Sequence, residues 1–315
     1  MIVPALGSAS RTERAGWLVL CVHASFVLFG TLALVTILAG EFPTFMQTPY
    51  TAEIFRLSWK FTGPTLVVLG CAAAILHSIP RLGARTAITL FAVATGIALA
   101  SELLGTNIGL PFGPYHYTEM LGYRINGDVP FPIPISWYYM LYGSLAICAR
   151  LMTADDSSRS RWRWALAAGV ILTAWDIAQD PAMTVVTPVH WAWDFARVPT
   201  WVPGWVTAPF FYGMPISNWI GWVVTGSLIA RVMLALVPPS RWRAQIVPSS
   251  LPLVLYALNG IMPIAMCARH GMWWAAVLGT VAMGVPLALA VRARPDRVSA
   301  RPRHASRGTL ALSGD

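Results

Sequence analysis

Apolar stretches of about twenty residues recur along this 315-residue chain, at 17–39, 61–79, 86–105, 134–152, 162–182, 215–237, 249–268 and 272–291. A segment of that length crosses a bilayer core as an α-helix, which satisfies every backbone N–H and C=O without water. The pattern predicts an all-α, polytopic membrane protein of about eight transmembrane helices. Only 11% of the residues are charged, against about 25% in soluble domains, so a water-soluble globular enzyme is excluded.

Orientation follows from the loop arginines. With the N-terminus in the cytoplasm, 17 of the 22 Lys and Arg residues fall on the cytoplasmic side. They include Arg81, Arg85, Arg150, Arg241, Arg243 and the arginines of the tail. The positive-inside bias therefore predicts cytoplasmic N and C termini and a multi-pass protein of the cell membrane. The net charge of +9 is read as contact with anionic lipid headgroups rather than with nucleic acid. Residues 1–291 form one membrane domain in this reading, and the Arg-, Ser- and Pro-rich segment 292–315 is expected to be a disordered cytoplasmic tail. Cys21, Cys71, Cys148 and Cys267 form no CxxC or Cys/His cluster, so each is read as a small buried apolar residue.

Asp176 and Asp180 break the apolar pattern of the fifth stretch, one helical turn apart. An ionisable group at a helix centre in a bilayer costs roughly 2.5–3.5 kcal/mol on insertion scales, and such groups usually serve a function. Burial, the negative end of the helix dipole and mutual repulsion all oppose ionising both. The expected state near neutral pH is one protonated aspartic acid beside an ionised neighbour, the arrangement a general acid requires. Structural alternatives exist, such as Asp180 capping the chain's exit at Pro181.

Topology brings more polar residues to the same depth. Glu102 closes the third span and Asn218 opens the sixth, both at the outer face. Residues 109–139 and 187–222 are dense in Pro, Gly, Tyr and Trp. Non-helical backbone beside a membrane must be buried in protein or line a wet cavity, so these loops are expected to fold over the helix ends as a cap. An ordinary interfacial aromatic belt is the alternative. His116 and His190, with Glu119 or Asp194, lack the spacing of a metal site, and no metal or cofactor is expected.

Two ordered blocks of residues carry a resemblance. The first is Glu102-Leu-Leu-Gly105, the run from Gly109 to Tyr117 reading GLPFGPYHY, Leu121-Gly122 and Pro134-Ile-Ser-Trp137. The second is Asp176-x3-Asp180-Pro181-x-Met183, the pair Trp191 and Trp193, then Tyr212-Gly-Met-Pro215, Asn218 and Gly221-Trp222. Together they span about 101–222 and resemble the carotenoid biosynthesis membrane proteins, which include carotenoid 1,2-hydratases of the bisanhydrobacterioruberin and γ-carotene type. The connection 187–211 is longer and richer in Trp than the family pattern.

The resemblance implies an acyclic or monocyclic carotenoid substrate, C50 carotenoids included, with the lipid bilayer and other enzymes of the pathway as partners. The reaction it implies adds water across the terminal C1=C2 bond to give a tertiary alcohol, without a cofactor. An isolated alkene is a weak base, so a desolvated acid must protonate it. Chemistry then suggests Asp176 or Asp180 as the acid, with the partner Asp or Glu102 orienting water. Tyr115, Tyr117, Trp137 and Trp222 would bind the end group and face the cation, and Asn218 would hold the water. Other readings open at this stage are a carotenoid or isoprenoid end-group cyclase, a membrane transporter and a non-catalytic carotenoid-complex subunit.

Overall fold

A computed structural model describes residues 10–36, 44, 47–185, 189–197 and 202–293. The tail expected to be disordered lies almost wholly outside these residues. Long helices form at all eight expected places: α1 (Arg11–Val35), α2 (Pro49–Leu82), α3 (Ala84–Ile108), α4 (Pro132–Leu151), α5 (Ser158–Val185), α7 (Ile216–Leu236), α9 (Leu251–Arg269) and α10 (Trp273–Arg292). Two short helices, α6 (Gly204–Thr207) and α8 (Pro239–Ile246), lie in the connections.

Six of these helices are long and apolar enough to cross a membrane: α1, the Lys60–Leu82 part of α2, α3, α7, α9 and α10. By length and apolarity α4 and α5 fall outside this set, and packing gives the reason. Every residue of α4 from Ser136 to Ala149 is buried, among α2, α3, α5, α7, α9 and α10. A helix walled by other helices can carry tyrosines and small polar residues that a lipid-facing helix cannot. In α5 the arginines of its first turns and the two buried aspartates lower the hydropathy in the same way.

Local chemistry sets the ends. Gly109, at φ 75°, takes the left-handed conformation that terminates α3. At α2 the Thr48 side chain accepts from the Thr51 amide and Pro49 occupies the first turn. This helix therefore starts before the apolar stretch at 61–79. At the opposite end, arginines in α8 and in the last turns of α2 and α4 are bound to backbone as well as charged. Arg81 donates to the Gln245 carbonyl (2.7 Å), Arg150 to those of Val247 (2.7 Å) and Ser249 (3.0 Å), Arg241 to Leu82 (2.8 Å) and Arg243 to Met152 (2.8 Å). The last carbonyls of α2 and the chain after α4 are thereby satisfied.

The all-α expectation needs one amendment. The molecule is mainly helical, but among the described residues the loops contain three two-stranded antiparallel ladders. In the first, β1 (Tyr115–Tyr117) pairs with β4 (Trp191–Trp193), with Tyr115 opposite Trp193 and Tyr117 opposite Trp191. The others join β2 (Arg124–Ile125) to β3 (Val129–Pro130) and β5 (Pro209–Phe211) to β6 (Met214–Pro215). The β1–β4 ladder ties the loop after α3 to the loop after α5. Among the cysteines, Cys71, Cys148 and Cys267 are buried, whereas Cys21 is exposed on α1.

Candidate active site

The site forms where α3, α4, α5 and α7 meet beneath the β1–β4 ladder. Glycine sets the spacing at the α5–α7 crossing. A Cβ on Gly169 would lie 2.9 Å from the Val223 carbonyl oxygen, and one on Gly226 would lie 3.0 Å from Leu172 Cδ2. Without those side chains the helices approach closely, and Asn218 on α7 reaches both aspartates on α5. Its Nδ2 donates to Asp176 Oδ2 at 2.8 Å and to Asp180 Oδ2 at 2.9 Å. Asp180 Oδ1 also accepts from Trp191 Nε1 on β4. The α5 helix runs on through Pro181 to Val185, so Asp180 points into the bundle instead of capping a chain exit.

Glu102, on α3, occupies the other wall. Period-two alternation turns Tyr115 and Tyr117 to the buried face of β1 and leaves His116 exposed. Both phenols donate to Glu102 Oε2, Tyr117 at 2.8 Å. Trp137 Nε1, from α4, donates to Oε1 at 3.1 Å. Burial and the adjacent Glu102 carboxyl hold the two phenols well above the ordinary tyrosine pKa, so they stay neutral donors. All three carboxyls are buried, with side chains of Glu102, Asp176 and Asp180 no more than 3% exposed. The donors that bind them are the neutral groups of Tyr, Trp and Asn.

Between these walls lies a cavity of about 50 Å³, enough for roughly three to five waters. Glu102, Tyr115, Tyr117, Trp137, Asp180, Asn218 and Trp222 line it, so seven of the eight residues singled out in the sequence converge. Asp176 is the exception: it is held by Asn218 but does not line the cavity, and its Oδ1 is buried without a hydrogen-bond partner among the described residues. Aromatic rings make up most of the wall. Trp137 and Trp222 stack with centroids 4.4 Å apart and 18° between planes, and Trp175 meets Trp222 edge-on at 5.9 Å. Such a chamber can keep an acid desolvated and face a developing cation with ring π-density.

Sequence reasoning left Phe112, Trp175, Gln179, Trp191 and Trp193 out of the site, although all line the cavity. Helical spacing held the clue for two of them: Trp175 and Gln179 are four residues apart, each directly preceding one aspartate of the pair on α5. The histidine–acid alternatives do not gather into a site. Glu119 pairs with Arg124, and among the described residues no three His, Cys, Asp or Glu side chains are grouped to hold a metal.

Comparison with known proteins gives an independent line. The bisanhydrobacterioruberin hydratase of Haloarcula japonica is 26% identical over 231 residues, which cover 72% of this chain and 60% of that protein. The chain thus spans well under two thirds of that curated relative's length. No solved structure matches. The model of a family described as carotenoid biosynthesis protein matches residues 62–286, a region that holds all four helices of the site and both strands of its roof. This chain belongs to the carotenoid biosynthesis protein family.

Proposed function

We propose that this protein is a membrane-embedded carotenoid hydratase, adding water across the C1=C2 bond of an acyclic end group to give a tertiary alcohol. The observation that carries the reading is the meeting of Asp180 and Glu102, from separate helices, on one small aromatic cavity. The similarity to a protein named as a hydratase supports the same class of reaction. In the proposed orientation both termini are cytoplasmic, the site lies toward the outer face of the cell membrane, and the polyene lies among the apolar helices.

Asp180 is the proton donor in this reading, because it lines the cavity and Asp176 does not. Asp180 carries the proton in this reading, and Asn218 Nδ2 donates to both carboxyls. Transfer of that proton to C2 leaves a tertiary cation at C1, faced by Trp137, Trp222 and the tyrosines. A cation over a desolvated aromatic face gains about 2 kcal/mol or more. Glu102, held by three neutral donors, sets its carboxyl oxygens beside the cation. Water then attacks C1, and its surplus proton returns to Asp180. The reaction balances with alkene and water alone.

The test is expression in a bacterium that accumulates lycopene or a related acyclic carotenoid, with mass analysis of the pigments. A product heavier by one water supports the proposal. A product of unchanged mass and altered retention would indicate end-group cyclisation, and unaltered pigment in several such strains would reject a carotenoid-modifying role.

A further inference from the structure

Most polar groups on the cavity wall are already engaged by the protein. Glu102 takes three donors, Asp180 takes two, Ser136 Oγ donates to the Ile133 carbonyl, and Trp175 Nε1 donates to the Asn259 carbonyl. Gln179 is different. It is half-buried, lines the cavity one turn beyond Trp175, and makes no hydrogen bond through its amide among the described residues. Trp193 Nε1 is buried and equally without a partner, on a ring that packs against Tyr115 with centroids 5.6 Å apart. Buried polar groups that the protein leaves unmet are normally satisfied by ordered water or ligand.

We propose that Gln179 and Trp193 form a water-binding subsite in this cavity, and that Gln179 positions the nucleophile; the assignment rests on the hydratase reading. The two groups are complementary toward one water. The Gln179 carbonyl oxygen accepts one of its O–H bonds, and the Trp193 N–H donates to one of its lone pairs. The second lone pair remains for the cation. Once Asp180 has transferred its proton to C2, that lone pair forms the C1–O bond. The oxonium proton then passes to the Asp180 carboxylate, which regenerates the acid. If no water is held there, the cation returns a proton from an adjacent carbon and becomes an alkene again. Gln179 therefore governs how the cation divides between alcohol and alkene.

Partition is measurable. Membranes containing the full-length protein are incubated in D2O with lycopene, and both alcohol and recovered alkene are analysed for deuterium. Gln179→Leu should cut alcohol formation at least about tenfold while deuterium still enters the recovered alkene. Gln179→Glu, which keeps an acceptor oxygen, should restore part of the alcohol, and Trp193→Phe should lower it less than Gln179→Leu. Unchanged alcohol in Gln179→Leu would overturn the subsite while leaving the hydratase reading intact. Parallel loss of alcohol and deuterium exchange would also overturn it, because protonation itself would then depend on Gln179. A wild type that exchanges deuterium but never forms alcohol overturns both readings.

Discussion

Asn218 Nδ2 and Asp180 Oδ2 lie 2.9 Å apart across the α5–α7 crossing, and the same amide nitrogen holds Asp176. A leucine here would leave two buried carboxyls without their shared donor. Removing one partner of a buried polar pair costs about 1–3 kcal/mol, and more for charged groups. Asn218→Leu should therefore lower the melting temperature in detergent as well as abolish hydration. A variant that melts like the wild type would show that the bridge contributes little to stability.

The two aspartates should separate in kinetics. Asp180→Asn removes the cavity-lining acid and is expected to lower hydration by about 10²–10⁴-fold, the usual contribution of a general acid. Asp176→Asn, at a residue that does not line the cavity, should leave more activity than Asp180→Asn. Pigment analysis of strains expressing each variant at matched levels decides the order. The reverse order would move the acid role to Asp176.

Tyr115 and Tyr117 lie in the loop strand, outside the spanning helices. Burial and the Glu102 carboxyl both disfavour the phenolate, so each ionises well above the ordinary value. A spectrophotometric titration of the Tyr115→Phe/Tyr117→Phe double variant should superimpose on the wild type through about pH 10, where ordinary tyrosines ionise. Loss of tyrosinate signal in that range would mean that the roof is open to water.

Gly169 is a test of the helix crossing. An alanine Cβ there would press on backbone, which cannot move aside as a side chain can. Gly169→Ala should destabilise the protein by about 1–3 kcal/mol, as overpacking does. Gly96→Ala on α3, where nothing lies within 4 Å, should be near neutral. Melting curves of the two variants in detergent make the comparison.

Topology is open to labelling. In the proposed orientation Tyr123, which is 75% exposed in the β1–β2 connection, faces outward, and Arg159 at the start of α5 faces the cytoplasm. Tyr123→Cys should react with a membrane-impermeant maleimide on intact cells and Arg159→Cys only after lysis. Equal labelling of both would show that α4 does not cross the membrane.

The amino-acid sequence by itself determined the helical membrane class and the eight helix positions, because hydropathy and length are local properties. It also picked out Glu102, Asp176, Asp180 and Asn218, since polar residues stand out wherever their neighbours are apolar. Two of those helices, α4 and α5, are less apolar than the other six, because burial within the bundle, unlike contact with lipid, tolerates the tyrosines of α4 and the charges of α5. Only tertiary structure decided which acid reaches the cavity: Asp176 and Asp180 share a helix face and are both held by Asn218, from a helix distant in sequence, yet Asp180 alone of the two lines the chamber. The same holds for the roof. Pairing of Tyr115 with Trp193 and of Tyr117 with Trp191 joins segments more than seventy residues apart, and no local periodicity records that contact. Gln179 reads as one more helix residue until the fold leaves its amide on the cavity wall with no partner among the described residues.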